Sequence, residues 1–183
     1  MTKKILIIVA IVIGLSFLST MGLRIYTKSF SPIDVATYED DYHQIEVTYC
    51  QPFRKGRTVF PDVVPYDVVW RTGANEATRI STSQDLKIYD KVLPKGTYSL
   101  WTIPGQEHWE IIFNKEYGQW GLKAISDEAN RDEARDVLSI MVPVYQTDND
   151  IEQFTIQFEV WGDLIQMLLM WDHTIVVVPI DKK

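Results

Sequence analysis

The chain has 183 residues, a length that allows one ordinary domain plus a short appendage. Aromatic residues make up 12% of it, which is enough bulky apolar material to fill a two-layer interior. Residues 1–28 contain four bases and no acid, so the remaining 155 residues carry 14 bases against 25 acids, a formal balance of −11. A body with this charge repels nucleic acid, so we expect no nucleic-acid partner.

An apolar segment opens the chain. Residues 5–23 contain no charge in 19 positions, and as a helix they would be about 28 Å long at ~1.5 Å per residue, close to the ~30 Å hydrocarbon core of a bilayer. A cleaved signal peptide is the alternative, but its apolar region is usually shorter and ends in small residues, a pattern that residues 19–22 match poorly. We therefore predict an uncleaved single-span anchor at 1–25, whose partner is the lipid bilayer.

The remaining chain is predicted to form a stalk over 26–37 and a β-domain over 38–183. Because basic residues flank both ends of the apolar segment, the positive-inside rule only weakly favours a cytoplasmic N-terminus. This orientation places the protein in the cell membrane, single-pass, with the C-terminal domain extracytoplasmic (periplasmic).

The pattern after the stalk has a period of two. Residues 152–160 alternate so that Phe154, Ile156, Phe158 and Val160 share one face, which indicates a half-buried strand. The same alternation indicates half-buried strands at 45–49, 97–103 and 109–114. A further strand is predicted at 136–144, and the apolar run 174–180 suits a strand covered on both sides. One short helix is predicted at 126–136. Eight or nine strands separated by turns predict an all-β fold, an antiparallel β-sandwich of jelly-roll-like type.

The segment VPYDVVWRTGANEATRIS, residues 64–81, holds the residues that most suggest a site. Gly73 offers a sharp turn, while Arg71, Asn75 and Glu76 present a guanidinium, an amide and a carboxylate within six residues. Bases outnumber acids over 54–79, so a small anionic ligand is one interpretation. The other is a structural corner in which these groups pair within the protein and Trp70 lies in the core.

Specific motifs link this segment to a known family. They are the KGR turn at 55–57, VPYDVVWRTGANE at 64–76, PKGTYSLWTIPG at 94–105 and a closing tail from Trp171 to Ile180. Together they resemble the bacterial domain-of-unknown-function family 2911 from about residue 49 to residue 180. The resemblance implies an exported or membrane-anchored β-domain without an established activity.

Enzyme motifs are lacking in the sequence. There is no Gly-x-Ser-x-Gly, phosphate-binding Gly-rich loop or His-Glu-x-x-His, and the three histidines are scattered. We therefore expect no metal site and no cofactor. The single Cys50 excludes an intramolecular disulfide and is more typical of a buried small side chain than of a catalytic thiol. Glu76 and Glu110 form a glycosidase-like pair only if the fold brings them together.

The sequence therefore predicts a binding or structural module of the bacterial envelope, with a hydrolase-type enzyme using the Arg71, Asn75 and Glu76 loop as the alternative. A small anionic or carbohydrate ligand, or an envelope protein, is the expected partner. The candidate ligand-binding residues are Arg57, Tyr66, Arg71, Asn75, Glu76, Trp101 and Trp109.

Overall fold

A computed structural model describes residues 3–182. It begins with helix α1, Lys3–Phe30, in which no side chain is buried. Among the described residues, α1 is the one helix long and apolar enough to cross a membrane. It ends where Pro32 follows, because proline cannot continue a helix and disfavours helical backbone in the residue before it.

Nine strands follow in antiparallel order. Seven of them form one sheet in the order β1-β2-β3-β6-β7-β8-β9, and the short β4 and β5 pair separately. Their bounds are Ile33–Glu39 (β1), Gln44–Cys50 (β2), Thr78–Thr82 (β3), Leu86–Ile88 (β4), Lys91–Leu93 (β5), Gly96–Ile103 (β6), His108–Asn114 (β7), Asp136–Trp161 (β8) and Leu164–Asp181 (β9). The predicted all-β antiparallel class is confirmed.

The last two strands are longer than the sequence pattern indicated. The segments 136–144 and 152–160 belong to one strand, β8, which pairs first with β7 and then along its length with β9. Register shifts between Gln146 and Thr155 mark bulges, which let a long strand bend without ending. The bend brings the second half of β8 back over β2, where the Ile156 N–H donates to Tyr49 Oη at 2.8 Å.

Aromatic rings fill the core between these layers. Phe60, Trp70, Trp109, Phe154 and Trp171 contact one another with ring centroids 5.0–6.3 Å apart, mostly edge to face. Such pairs add about 0.5–1.5 kcal/mol each beyond the apolar area they remove from water. The cluster therefore holds residue 70, and the loop that follows it, against the body of the domain.

Three local predictions differ from the structure. The helix predicted at 126–136 is reduced to one 3-10 turn, Glu133–Arg135, started by Asp132, whose side chain accepts the Ala134 N–H. Of the predicted inward face of 152–160, Phe154 and Ile156 are buried, Phe158 is half-buried and Val160 is 51% exposed, because β8 runs beyond the core. The segment 26–37, predicted as a stalk, contains the last turns of α1 and the start of β1.

Candidate functional site

The loop between Trp70 and β3 has an unusual backbone. Thr72 (φ 54°), Gly73 (φ 150°) and Asn75 (φ 62°) all have positive φ, which is rare for a β-branched residue such as threonine. Side chains hold this conformation: Trp70 Nε1 donates to the Gly73 carbonyl at 3.0 Å, and Thr78 Oγ1 donates to the Thr72 carbonyl at 2.5 Å. Backbone strain of this kind persists only where the surroundings impose it, and it is concentrated at functional sites.

Two glycines allow the close packing of this loop. A Cβ atom on Gly73 would lie 2.9 Å from the Cys50 carbonyl oxygen, and one on Gly121 would lie 2.0 Å from Cδ of Arg71. The Gly121 N–H also donates to the Asn75 carbonyl at 2.9 Å. The segment around Gly121 therefore crosses directly over the Arg71 side chain and encloses it.

Arg71 is a largely enclosed cation without a counter-charge. Its Nε is buried and has no hydrogen-bond partner, and in residues 3–182 the guanidinium makes no ion pair. Loss of water contact lowers the pKa of Arg71 from the ordinary arginine value, and the nearby Cys50 opposes this by raising it. An unpaired charge removed from water costs several kcal/mol, so a protein that retains one usually needs it for a purpose other than folding.

Asn75 and Cys50 lie beside one another under the same loop. Asn75 is 8% exposed, and its amide Nδ2 is buried without a partner. Cys50 is 3% exposed. Burial raises the pKa of its thiol, and the hydrogen-bonding influence of Asn75 opposes this only in part. The structure therefore confirms that Cys50 is buried, and the raised pKa favours the thiol over the thiolate that an activated nucleophile requires.

Glu76 connects this loop to α1. Its Oε1 lies 2.9 Å from Lys28 Nζ, and its Oε2 lies 3.9 Å from Cys50 Sγ. The contact with Lys28 follows from strand register: Ile33, three residues after α1, pairs with Cys50, so the end of the helix lies beside the end of β2. About a quarter to a third of each side chain is exposed, so the ion pair is partly solvated.

A cavity of about 180 Å³ opens beside this group. Glu76 and Cys50 form part of its wall together with Ile33, Ala77 and Gly118. A water molecule occupies ~30 Å³ in the liquid, so the space suits several waters or one small polar group. Arg71 and Asn75 do not line this cavity.

The other candidate residues lie elsewhere. Arg57 donates to the main-chain carbonyls of Phe53 and Arg54, which makes it part of a separate turn. Tyr66 is half-buried, and in the described chain it makes no hydrogen bond with the Arg71 loop. Trp101 is buried in a small cluster with Ala77 and Ile112, and Trp109 is buried in the main core. Neither ring faces solvent.

The two carboxylates considered as a glycosidase-like pair keep different partners. Glu110 accepts a short hydrogen bond from Ser139 on β8, whereas Glu76 is held by Lys28 and Cys50. The hydrolase interpretation therefore lacks the carboxylate pair, and in the described chain the contacts of His43 and His173 are with Asp40, Thr147 and Asp172 rather than with Cys50.

One further cluster combines metal-ligand types. Asp150, Asp172 and His173 bring potential ligand atoms within 4.8 Å of one another. Arg54 Nη1 lies 2.8 Å from Asp172 Oδ1 and also pairs with Asp150. These carboxylates therefore already have a cation partner, and the cluster is a structural ion-pair network between the turn at 54 and strands β8 and β9.

The sequence pattern did not identify all members of the site. Lys28 was assigned to the stalk, although Arg24 and Lys28 are four residues apart and thus share a helix face, a signal that was available. Cys50 and Gly121 carried no such signal, since their proximity to Arg71 depends on chain segments 21 and 50 residues away.

Comparison with known proteins supports the family resemblance. Neither the curated proteins nor the solved structures gave a match to the chain. A family model does match, over residues 31–180, which includes the whole Arg71 loop and all the strands up to the last residue of β9 but excludes α1. The chain therefore belongs to the family described as "Protein of unknown function (DUF2911)".

Proposed function

We propose that this protein is a membrane-anchored binding module that holds an anionic group of a small ligand at the Arg71 loop. The observation that carries the proposal is the enclosed, unpaired guanidinium of Arg71. A carboxylate or phosphate matches its planar donor set and would compensate its charge. The unpaired Asn75 amide offers a second N–H donor nearby.

A purely structural corner explains these residues less well. In a structural corner Arg71 and Asn75 would be paired with protein groups, as the charge of Arg131 is with Glu133 and Asp136, although Arg131 Nη1 also lacks a hydrogen bond. Instead both keep buried, unpaired donors in a loop with strained backbone. Buried unpaired donors are a cost to the fold, and their retention is expected where a ligand completes them.

The proposed location is the membrane surface. Helix α1 supplies the length and apolarity of a single span, and the short N-terminus before it is basic. The positive-inside rule then favours a β-domain on the extracytoplasmic side. A carbohydrate ligand or an envelope protein partner remains the alternative if no anion binds.

Substitution of Arg71 tests the proposal, with Arg131 as a matched enclosed arginine that does have acid partners. We expect Arg71→Met, which keeps most of the aliphatic stem, to leave the unligated protein as stable as wild type or more stable, because an uncompensated charge is removed. Arg131→Met should lower stability by about 1–3 kcal/mol, because its acid partners lose their cation. Denaturant unfolding of the full chain in neutral detergent measures both effects.

A second experiment tests ligand binding by thermal unfolding in the presence of inorganic phosphate and of a panel of small carboxylates. Wild type should be stabilised, by about 2.7 kcal/mol at a hundredfold excess over Kd. Arg71→Lys should weaken binding at least about tenfold, since lysine lacks the two-pronged donor set, whereas Arg131→Lys should bind normally. Loss of stability in Arg71→Met, together with no response to any anion, would favour the structural corner.

A further inference from the structure

A groove runs between α1 and the β-domain and meets the candidate site. Its volume is about 560 Å³, and it is lined by Phe17, Thr20, Met21, Arg24, Ile25, Lys28 and Glu76. Six of these seven side chains come from one face of α1, and the seventh, Glu76, also lines the cavity beside Cys50. Groove and cavity are therefore joined at Glu76.

The face of α1 that lines the groove is apolar toward the start of the helix and cationic toward its end. Phe17, Met21 and Ile25 follow one another at intervals of four residues, and each presents an apolar side chain. Arg24 and Lys28 lie at the end nearest the β-domain, after the uncharged run has finished. If α1 spans the bilayer, the apolar part of the groove lies among acyl chains and the cationic part at head-group depth.

The cationic end has an unused positive charge. Lys28 pairs with Glu76, but among the described residues Arg24 has no carboxylate partner and its guanidinium lies over the Trp120 ring, 5.5 Å from the centroid. Arg71 is likewise unpaired. Although the β-domain as a whole is acidic, the groove therefore presents two cations, Arg24 and Lys28, to one acid, Glu76.

We propose that the ligand is an anionic amphiphile that enters from the bilayer: a lipid-like molecule with an acyl chain and one phosphate- or carboxylate-bearing head group. The acyl chain lies along Phe17, Met21 and Ile25. The head group lies at Arg24 and Lys28, next to Glu76, which also lines the cavity beside Cys50. This inference rests on the proposed anion-binding function and adds the class of the ligand and its route of entry.

The test uses the full chain in phosphatidylcholine nanodiscs, with or without phosphatidylglycerol, and separately with inorganic phosphate in solution. Thermal unfolding is the readout. We expect phosphatidylglycerol to raise the midpoint of wild type by about 2–4 °C and to do so more than inorganic phosphate does.

Two pairs of variants separate the groove from a general attraction to an anionic surface. Met21→Trp fills the groove, while Leu23→Trp adds the same bulk roughly 200° further round the helix. Arg24→Gln removes the unpaired cation of the groove. Its control, Lys55→Gln, removes a cation outside the groove, since Lys55 lies over the ring of Phe30 at the end of α1. The phosphatidylglycerol shift should vanish in Met21→Trp and Arg24→Gln and persist in Leu23→Trp and Lys55→Gln.

The outcomes distinguish this inference from the proposed function. If inorganic phosphate stabilises the chain through Arg71 but phosphatidylglycerol adds nothing, the amphiphile is excluded while anion binding stands. If both members of each variant pair respond alike, the shift is a surface-charge effect and the groove is excluded as the site. If neither lipid nor phosphate has an effect on wild type, both proposals fail.

Discussion

At the scale of single residues, the site is defined by what its side chains lack. Within residues 3–182, Arg71 has no acid partner and the Asn75 Nδ2 has no acceptor, whereas Glu76 and Cys50 contact each other. The enclosure of Arg71 beneath Gly121 shows that its position is built by the fold and is not a surface accident. A guanidinium held rigidly and unpaired is pre-organised for an anion, because little side-chain freedom is left to lose on binding.

The thiol of Cys50 provides a prediction at this scale. Burial raises its pKa and shields the sulfur from solvent, so alkylation by iodoacetamide at neutral pH should be slower in the folded chain than in the unfolded chain. Alkylation rates measured with and without denaturant check this. A folded-state rate faster than the unfolded one would indicate an activated nucleophile and revive the hydrolase interpretation.

The same shift has a consequence for stability. Because the folded chain holds the thiol proton more tightly than the unfolded chain, the contribution of Cys50 is fully present below the unfolded-state pKa. It is lost as the pH rises through the folded-state pKa. Cys50→Ala should therefore remove part of the loss of stability seen in alkaline solution.

At the scale of elements, the long strand β8 connects the core to the edge of the domain. Its inward face begins inside the aromatic cluster at Phe154 and leaves the core by Val160. Strand alternation predicts which residues share a face, but it does not show where the covering layer ends. The position of that boundary depends on how β2 crosses β8 at Tyr49 and Ile156.

The decrease in burial along β8 from Phe154 to Val160 predicts a measurable decrease in the cost of substitution. Phe154→Ala should cost about 3–5 kcal/mol, because it leaves a cavity among buried rings. Phe158→Ala should cost distinctly less, since its ring is half-buried, and Val160→Ala should fall within about 0.5 kcal/mol of wild type. Denaturant unfolding of the three variants gives the order. Equal losses at all three positions would show that the whole face is covered.

At the scale of the whole molecule, α1 has two roles in the proposed function. It carries the apolar length of an anchor, and its last turn contributes Lys28 to the ion pair with Glu76. A short connection between α1 and β1, together with the Ile33 to Cys50 register, brings helix and site together. Anchoring and binding are then expected to depend on the same segment.

The anchor itself gives the last prediction. The mature chain should retain its N-terminus and fractionate with membranes, because 19 uncharged residues suffice to span and residues 19–22 are a poor cleavage site. Mass spectrometry of the purified native protein measures this. A mass lacking roughly the first twenty residues would identify a cleaved signal peptide, and it would also remove Phe17 and Thr20 from the proposed groove while leaving Arg71 in place.

The sequence by itself determined the features that depend on local periodicity. The uncharged run produced α1, period-two alternation produced β2, β6 and β7 close to their predicted bounds, and the family motifs identified the family. Each of these signals lies within a few adjacent residues. Side-chain alternation and helix periodicity follow from backbone geometry, so they are readable without knowledge of the neighbours.

Only the tertiary structure decided which residues meet. Trp101 and Trp109 were candidates for a ligand and lie in the interior, while Lys28 and Gly121 joined Arg71 and Glu76 from distant parts of the chain. The physical reason is that strand register and sheet curvature set these contacts over long sequence separations. The buried, unpaired Nε of the half-buried Arg71 can be recognised only in three dimensions, because burial and a missing partner are both properties of the packed chain.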